Sequence, residues 1–166
     1  MGVDAVSFLA SALMQAANPS PCTDESYSDF DFWVGTWDVY VGDSLAGRNV
    51  ITKEETGCLV LETWNSASGG TGQSYNYFDP AQDVWRQVWI SPGLLIDYQG
   101  GIDEEGRMAL EGTLTSHASG TTAPFRGRWE SLDDGTVQQT FWIYKTDDDA
   151  WTVWFDGNYQ PADDEE

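Results

Sequence analysis

Positive charge is what this sequence has least of. Lysine occurs twice, at Lys53 and Lys145, and histidine once, at His117; seven Lys and Arg stand against 28 Asp and Glu, a net charge of -21. A field of that sign repels phosphates and anionic bilayers. It excludes nucleic acid and a membrane surface as partners. Solubility accounts for the acidity, with a salt-adapted source as the alternative. The single histidine removes most catalytic constellations. A Ser-His-Asp relay needs a positioned imidazole, and His117 lies in a Ser-His-Ala-Ser-Gly stretch that reads as an exposed loop. Two cysteines and one histidine at these spacings do not build a zinc site. The Gly-Gly-Thr-Gly run at 69–72 lacks the lysine and following helix of a phosphate loop. The acidic run at 147–149 reads as a solvated turn rather than a calcium loop. No metal and no cofactor is expected.

Long apolar runs are also missing. The one candidate, VSFLASALMQAA at 6–17, is too short to span a bilayer as a helix. It reads as the hydrophobic part of a secretory signal, followed by Asn18-Pro19-Ser20-Pro21, although no Lys or Arg precedes it and Asp4 does. A short helix packed on the domain is the alternative. With an export-like start, the two cysteines, Cys22 and Cys58, are expected to pair in a periplasmic or extracellular setting. Two reduced thiols are the alternative. Residues 1–21 are thus set apart from one domain at 22–160, with an acidic tail at 161–166.

What is present points to β structure. Hydrophobic residues make up 40% and aromatics 14% of the chain, nine of them Trp, which must be buried or face a ligand. After one helical turn near 23–31, with Phe30, Phe32 and Trp33 closing an end of the domain, short apolar segments recur about every ten residues. They fall at 36–41, 48–55, 58–65, 73–78, 84–90, 94–100, 107–114, 122–130, 136–144 and 151–159. Turn residues separate them, notably Asp79-Pro80, the stretch 103–106 and Asp134-Gly135. The expected fold is all-β: an up-and-down antiparallel barrel of about ten strands, which leaves no free edge. A β-sandwich is the runner-up.

Several short sequences carry a resemblance. They are FDFWVGTWDVY at 30–40, GRNVI at 47–51, GCLVLETW at 57–64, SYNYFDPAQDVWRQVW at 74–89 and FDGNY at 155–159. Together these resemble an uncharacterised family of bacterial, often exported proteins with a calycin-like barrel, of the lipocalin and fatty-acid-binding type. The resemblance covers roughly 22–159 and implies a small-molecule-binding barrel without implying a reaction. It also implies that Trp37, at the Gly-x-Trp step, is buried at the barrel floor, where calycins commonly pack an arginine over the ring. The more distant haem-binding relatives place a histidine on iron; the loop setting of His117 speaks against haem.

Alternation along strands sorts side chains into two faces. Glu62, Trp64, Ser74, Asn76, Gln87 and Trp89 are assigned to the lumen, because amides and hydroxyls among Trp rings suit a cavity with a few orienting groups. The inverted assignment makes Leu59, Leu61, Val84 and Val88 the core. Arg126 and Arg128 share a face, as do Val137, Gln139 and Phe141. An inward arginine would pair with Glu62 or bind an acidic group; otherwise it serves as the clamp over Trp37. Asn49 serves either the lumen or a strand end. The candidate ligand-binding set is therefore Asn49, Glu62, Trp64, Ser74, Asn76, Gln87, Trp89, Arg126, Arg128 and Gln139.

Three functions follow. The leading one is binding of a small, largely apolar or aromatic molecule in the barrel. The second is an enzyme using the same cavity, with Glu62 as general acid or base. The third is a structural barrel without ligand that forms a homodimer through its outer aliphatic face.

Overall fold

The structure, a computed structural model, describes residues 22–163. The signal-like reading of 1–21 and the last three residues of the acidic tail lie outside the described residues. Ten strands follow in order: β1 (Gly35–Val41), β2 (Ser44–Glu54), β3 (Leu59–Ser66), β4 (Thr71–Asp79), β5 (Val84–Ile90), β6 (Leu94–Ile102), β7 (Met108–Ser116), β8 (Thr122–Ser131), β9 (Val137–Lys145) and β10 (Ala150–Pro161). Each pairs antiparallel with the next, and β10 pairs with β1 to close a single barrel. One closed sheet replaces the two sheets a sandwich would need. The architecture agrees with the calycin-like barrel that the resemblance implied.

Short acidic turns direct the meander. At one end the Asp79 carboxylate accepts from the Ala81 amide at 3.0 Å, Asp103 from Glu105 and Arg107, and Asp134 from Thr136. Such Asx contacts reinforce the backbone bonds of the same turns, such as Gln82 to Asp79 and Gly106 to Asp103, and fix where a strand stops. The barrel runs one residue past the expected boundary at 160: Pro161 pairs with Trp37, and the Ala162 amide donates to the Thr36 carbonyl at 2.9 Å. The first two residues of the acidic tail are therefore joined to β1.

The same end is plugged by the segment before β1. It makes two 3-10 turns, Glu25–Ser28 and Asp31–Trp33. Phe30 and Trp33 are fully buried and stacked, with centroids 4.9 Å apart, and Phe30 meets the edges of Trp85 and Trp129. Polar contacts pin the plug around its rim. The Trp37 indole donates to the Trp33 carbonyl at 2.9 Å and the Trp85 indole to the Ser26 carbonyl at 3.0 Å. Lys53 bonds both the Tyr27 carbonyl and the Asp31 carboxylate. A disulfide between Cys22 and Cys58, with Cα atoms 5.1 Å apart, ties the segment to the β2–β3 turn. Trp37 is buried, as expected, but among the described residues it has no guanidinium stacked on its ring. The guanidinium–Trp contacts lie elsewhere, Arg126 over Trp151 and Arg128 over Trp142.

Among the described residues no helix is long and apolar enough to cross a membrane.

Candidate functional site

Strand alternation sends one file of side chains from each strand into the lumen, and the middle of the barrel is polar. Asn49, Glu62, Ser74, Asn76, Gln87 and Gln139 are all buried there, contributed by β2, β3, β4, β5 and β9. Burying six polar side chains costs free energy unless each finds partners. They find one another, except that Asn49 Oδ1 is left without a partner among the described residues. Tyr98 donates its hydroxyl hydrogen to Gln87 Oε1, and Gln87 Nε2 donates to Asn76 Oδ1. Asn76 Nδ2 donates to Ser74 Oγ at 2.9 Å and to the Val60 carbonyl at 2.9 Å. Ser74 Oγ donates to Glu62 Oε2 at 2.5 Å. From the other side, Asn49 Nδ2 reaches Glu62 Oε1 at 2.7 Å and the Tyr159 hydroxyl at 3.1 Å, while Tyr159 donates to Gln139 Oε1 at 2.8 Å. The register makes this possible, because Glu62 stands opposite Ser74, Asn76 opposite Gln87, and Gln87 opposite Tyr98. The result is a belt across the barrel wall in which both arms end as donors to one carboxyl.

Glu62 therefore accepts from both neighbours and has no cationic partner among the described residues. Burial pushes its carboxyl up to about 7, against the opposing pull of the hydrogen bonds from Ser74 and Asn49. Burial, reinforced by the Glu62 charge, raises the Tyr98 and Tyr159 phenols well above their ordinary value, so both stay protonated donors.

Above the belt, away from the plug, lies a cavity of about 220 Å³. Its floor carries Glu62, Gln87, Tyr98, Gln139 and Tyr159, its walls Trp64, Trp89, Phe141, Trp154 and Phe155, and its rim Gly70, Thr71 and Ser91. Among the described residues the Gln139 side chain accepts from Tyr159 at Oε1, which leaves its amide N–H groups for an acceptor entering the cavity it lines.

Glycines keep this space open. A Cβ on Gly72 would lie 2.2 Å from the Trp89 ring, one on Gly127 2.7 Å from Phe141, and one on Gly157 2.5 Å from Phe155. Each ring lies back over a bare Cα of the barrel wall instead of projecting across the lumen. A β-bulge supplies the fifth wall. The β10–β9 register shifts between Val153 and Phe155, so that Trp154 is the unpaired extra residue. The shift brings Trp154 and Phe155 to the cavity together, with Trp154 packed on Phe141 and Phe125 while half-exposed at the mouth.

Of the side chains assigned to the lumen, Glu62, Trp64, Gln87 and Trp89 line the cavity and Ser74 and Asn76 stand behind them in the belt; of the other candidates, Gln139 lines the cavity and Asn49 joins the belt. Leu59, Leu61, Val84 and Val88 lie on the outer face, half-buried, so they do not form the core. Arg126 and Arg128 are a correction. Phe125, Gly127 and Trp129 take the lumen side of β8, so alternation turns both arginines outward. Arg126 lies 3.8 Å from Glu111 on the outer surface, far from any pairing with Glu62. His117 is exposed on the loop between β7 and β8 and does not line the cavity. Tyr98, Tyr159, Trp154 and Phe155 were missing from the expected set. The tyrosines were legible in principle, since Tyr98 alternates with Ile96 and Tyr159 sits two residues beyond Gly157. The bulge breaks the alternation that would have revealed Trp154; the adjacent Trp154-Phe155 pair is its one trace in the sequence.

No protein-family model matches the chain, and no curated protein matches it.

Proposed function

We propose that this barrel binds a small, largely apolar or aromatic molecule. The observation that carries the reading is the open cavity of about 220 Å³ with aromatic walls and a hydrogen-bonding floor. An apolar cavity of about 150 Å³ accommodates benzene, so this one suits a body of one ring with a short substituent. It is too small for haem or a long acyl chain. A solid core is disfavoured by the glycines that draw the rings back against the wall. Native mass spectrometry of freshly purified protein tests the reading, with a co-purified molecule of roughly that size expected. Retention of that molecule by a Trp154→Ala, Trp89→Ala double variant would argue against the cavity as its seat.

The placement of Glu62 favours a second reading, an enzyme that uses the same cavity. A carboxyl held near 7 at the edge of an enclosed space is suited to general base chemistry. Glu62→Gln would then eliminate turnover of a bound molecule instead of altering only its affinity.

We also infer export to an oxidising compartment, as in the exported calycin-like family that the sequence resembles. The Cys22–Cys58 bridge and the apolar run at 6–17 support it. Alkylation of unreduced, denatured protein taken from the native host should label neither cysteine; labelling of both would remove the support.

A further inference from the structure

Resting on the reading of the cavity as a ligand site, we propose that its ligand is a small organic cation. It would be an amine on a one-ring body, with the positive charge directed at Glu62 and the ring held among Trp64, Trp89, Phe141 and Trp154. The first support is the charge inventory. All seven Lys and Arg lie within the described residues, and none lines the cavity. Glu62 is the one acidic or basic group in its lining apart from the two phenols, and every hydrogen-bond partner it has is neutral. A buried carboxylate in this state is uncompensated. It either takes a proton or takes a cation from outside, and an ammonium would supply both the charge and charge-assisted N–H donors.

The walls are the second support. Three indoles and two phenyl rings surround the space above the carboxyl. The faces of such rings carry negative potential, and they hold desolvated ammonium groups more firmly than neutral groups of the same shape. The third support is the field of the whole molecule. A net charge of -21 concentrates cations at the surface and repels anions from the cavity mouth. An anionic ligand would meet this field and Glu62 with no cation to receive it. A neutral aromatic ligand fits the walls but leaves the carboxylate without a counter-charge. An acceptor on the same amine, such as a hydroxyl, would meet the free amide N–H groups of Gln139.

The proposal requires an ionised Glu62, so binding depends on pH. The titratable groups facing Glu62 are Tyr98 from β6 and Tyr159 from β10, and both stay protonated; Asn49, Ser74, Asn76, Gln87 and Gln139, from the other strands of the belt, do not titrate. Affinity for an amine should rise from pH 5.5 to pH 8, while affinity for a neutral analogue should not.

Isothermal titration of the full chain with 2-phenylethylamine, 2-phenylethanol and 3-phenylpropionate, matched in size, tests this. At pH 8 the amine should bind at least about tenfold more tightly than the alcohol, in line with one cation–π contact plus a charge-assisted bond, and the acid should not bind. The preference should shrink at pH 5.5 and disappear in Glu62→Gln at pH 8. If that variant fails to fold, the wild-type pH series decides alone. An alcohol that binds as tightly as the amine at pH 8 overturns the cation and leaves the ligand cavity standing. Failure of all three probes to bind at millimolar concentration overturns the cavity reading and the cation together.

Discussion

Glu62 and Gln87 show what the belt asks of single residues. The Glu62 carboxyl has an ordinary value of 4.5 and is pushed up to about 7 by burial. The folded protein therefore holds its proton more tightly than the unfolded chain does. The stability contributed by the neutral carboxyl is fully present below about pH 4.5 and is lost as pH rises through about 7. The loss amounts to roughly 3 kcal/mol by linkage. Glu62→Gln removes this share. Urea unfolding at pH 4.5 and pH 8 should show wild type losing more stability than the variant between the two; equal losses would mean that Glu62 does not titrate in this range. Gln87 is placed differently. It accepts from Tyr98 and donates to Asn76, so Gln87→Leu strands a buried hydroxyl and a buried carbonyl. Each costs roughly 1–3 kcal/mol when left unpaired. The variant should lose several kcal/mol in denaturant unfolding, and a neutral result would mean that water supplies both partners.

The strands repeat one device, a bulky ring beside a glycine, and it decides whether the barrel is hollow. Gly72 is the clearest instance, because the three atoms nearest its absent Cβ all belong to the Trp89 ring. Gly72→Ala must push that ring away from the wall, toward the lumen. Ligand binding should fall sharply, and the melting temperature should drop as well, since overpacking costs roughly 1–3 kcal/mol. Unchanged binding would show that Trp89 can move outward instead. The strands themselves were readable because turn residues mark their ends: β5 spans Val84–Ile90, as the pattern placed it. β2 begins earlier than the expected segment, at Ser44, because Ser44, Leu45 and Gly47 also pair with β1 across a register shift. The shift in β10 hid Trp154 for the same reason. Alternation reads a strand only while the register holds. On β8 the register holds, and Phe125 and Trp129 compete with the arginines for the inside and take it.

At the scale of the whole molecule, charge is the term that solvent conditions can change. The 28 acidic residues leave few attractive pairs to offset repulsion. Among the described residues the ion pairs are Lys53–Asp31, Arg86–Asp79, Arg107 with Asp103 and Glu105, and a loose Arg126–Glu111 contact. All are at least partly exposed, and such pairs contribute about 0–1 kcal/mol each. Added salt weakens these few attractions and the many repulsions alike, and the repulsions dominate because the excess charge is -21. Folding brings the acidic side chains closer together than they are in the expanded chain, so repulsion acts mainly on the folded state. Screening is largely complete once the Debye length, about 10 Å at 0.1 M salt, falls below the spacing between neighbouring charges. The melting temperature should therefore rise over roughly the first few hundred millimolar NaCl and then level off. The plug makes a useful internal check, because its Lys53–Asp31 contact is attractive while its apolar packing and disulfide are insensitive to screening. Neutralising that pair with Lys53→Met should lower the melting temperature but leave the salt-induced rise intact. A flat or falling curve in the wild type would show that the exposed carboxylates are too far apart for their repulsion to limit the stability of the barrel.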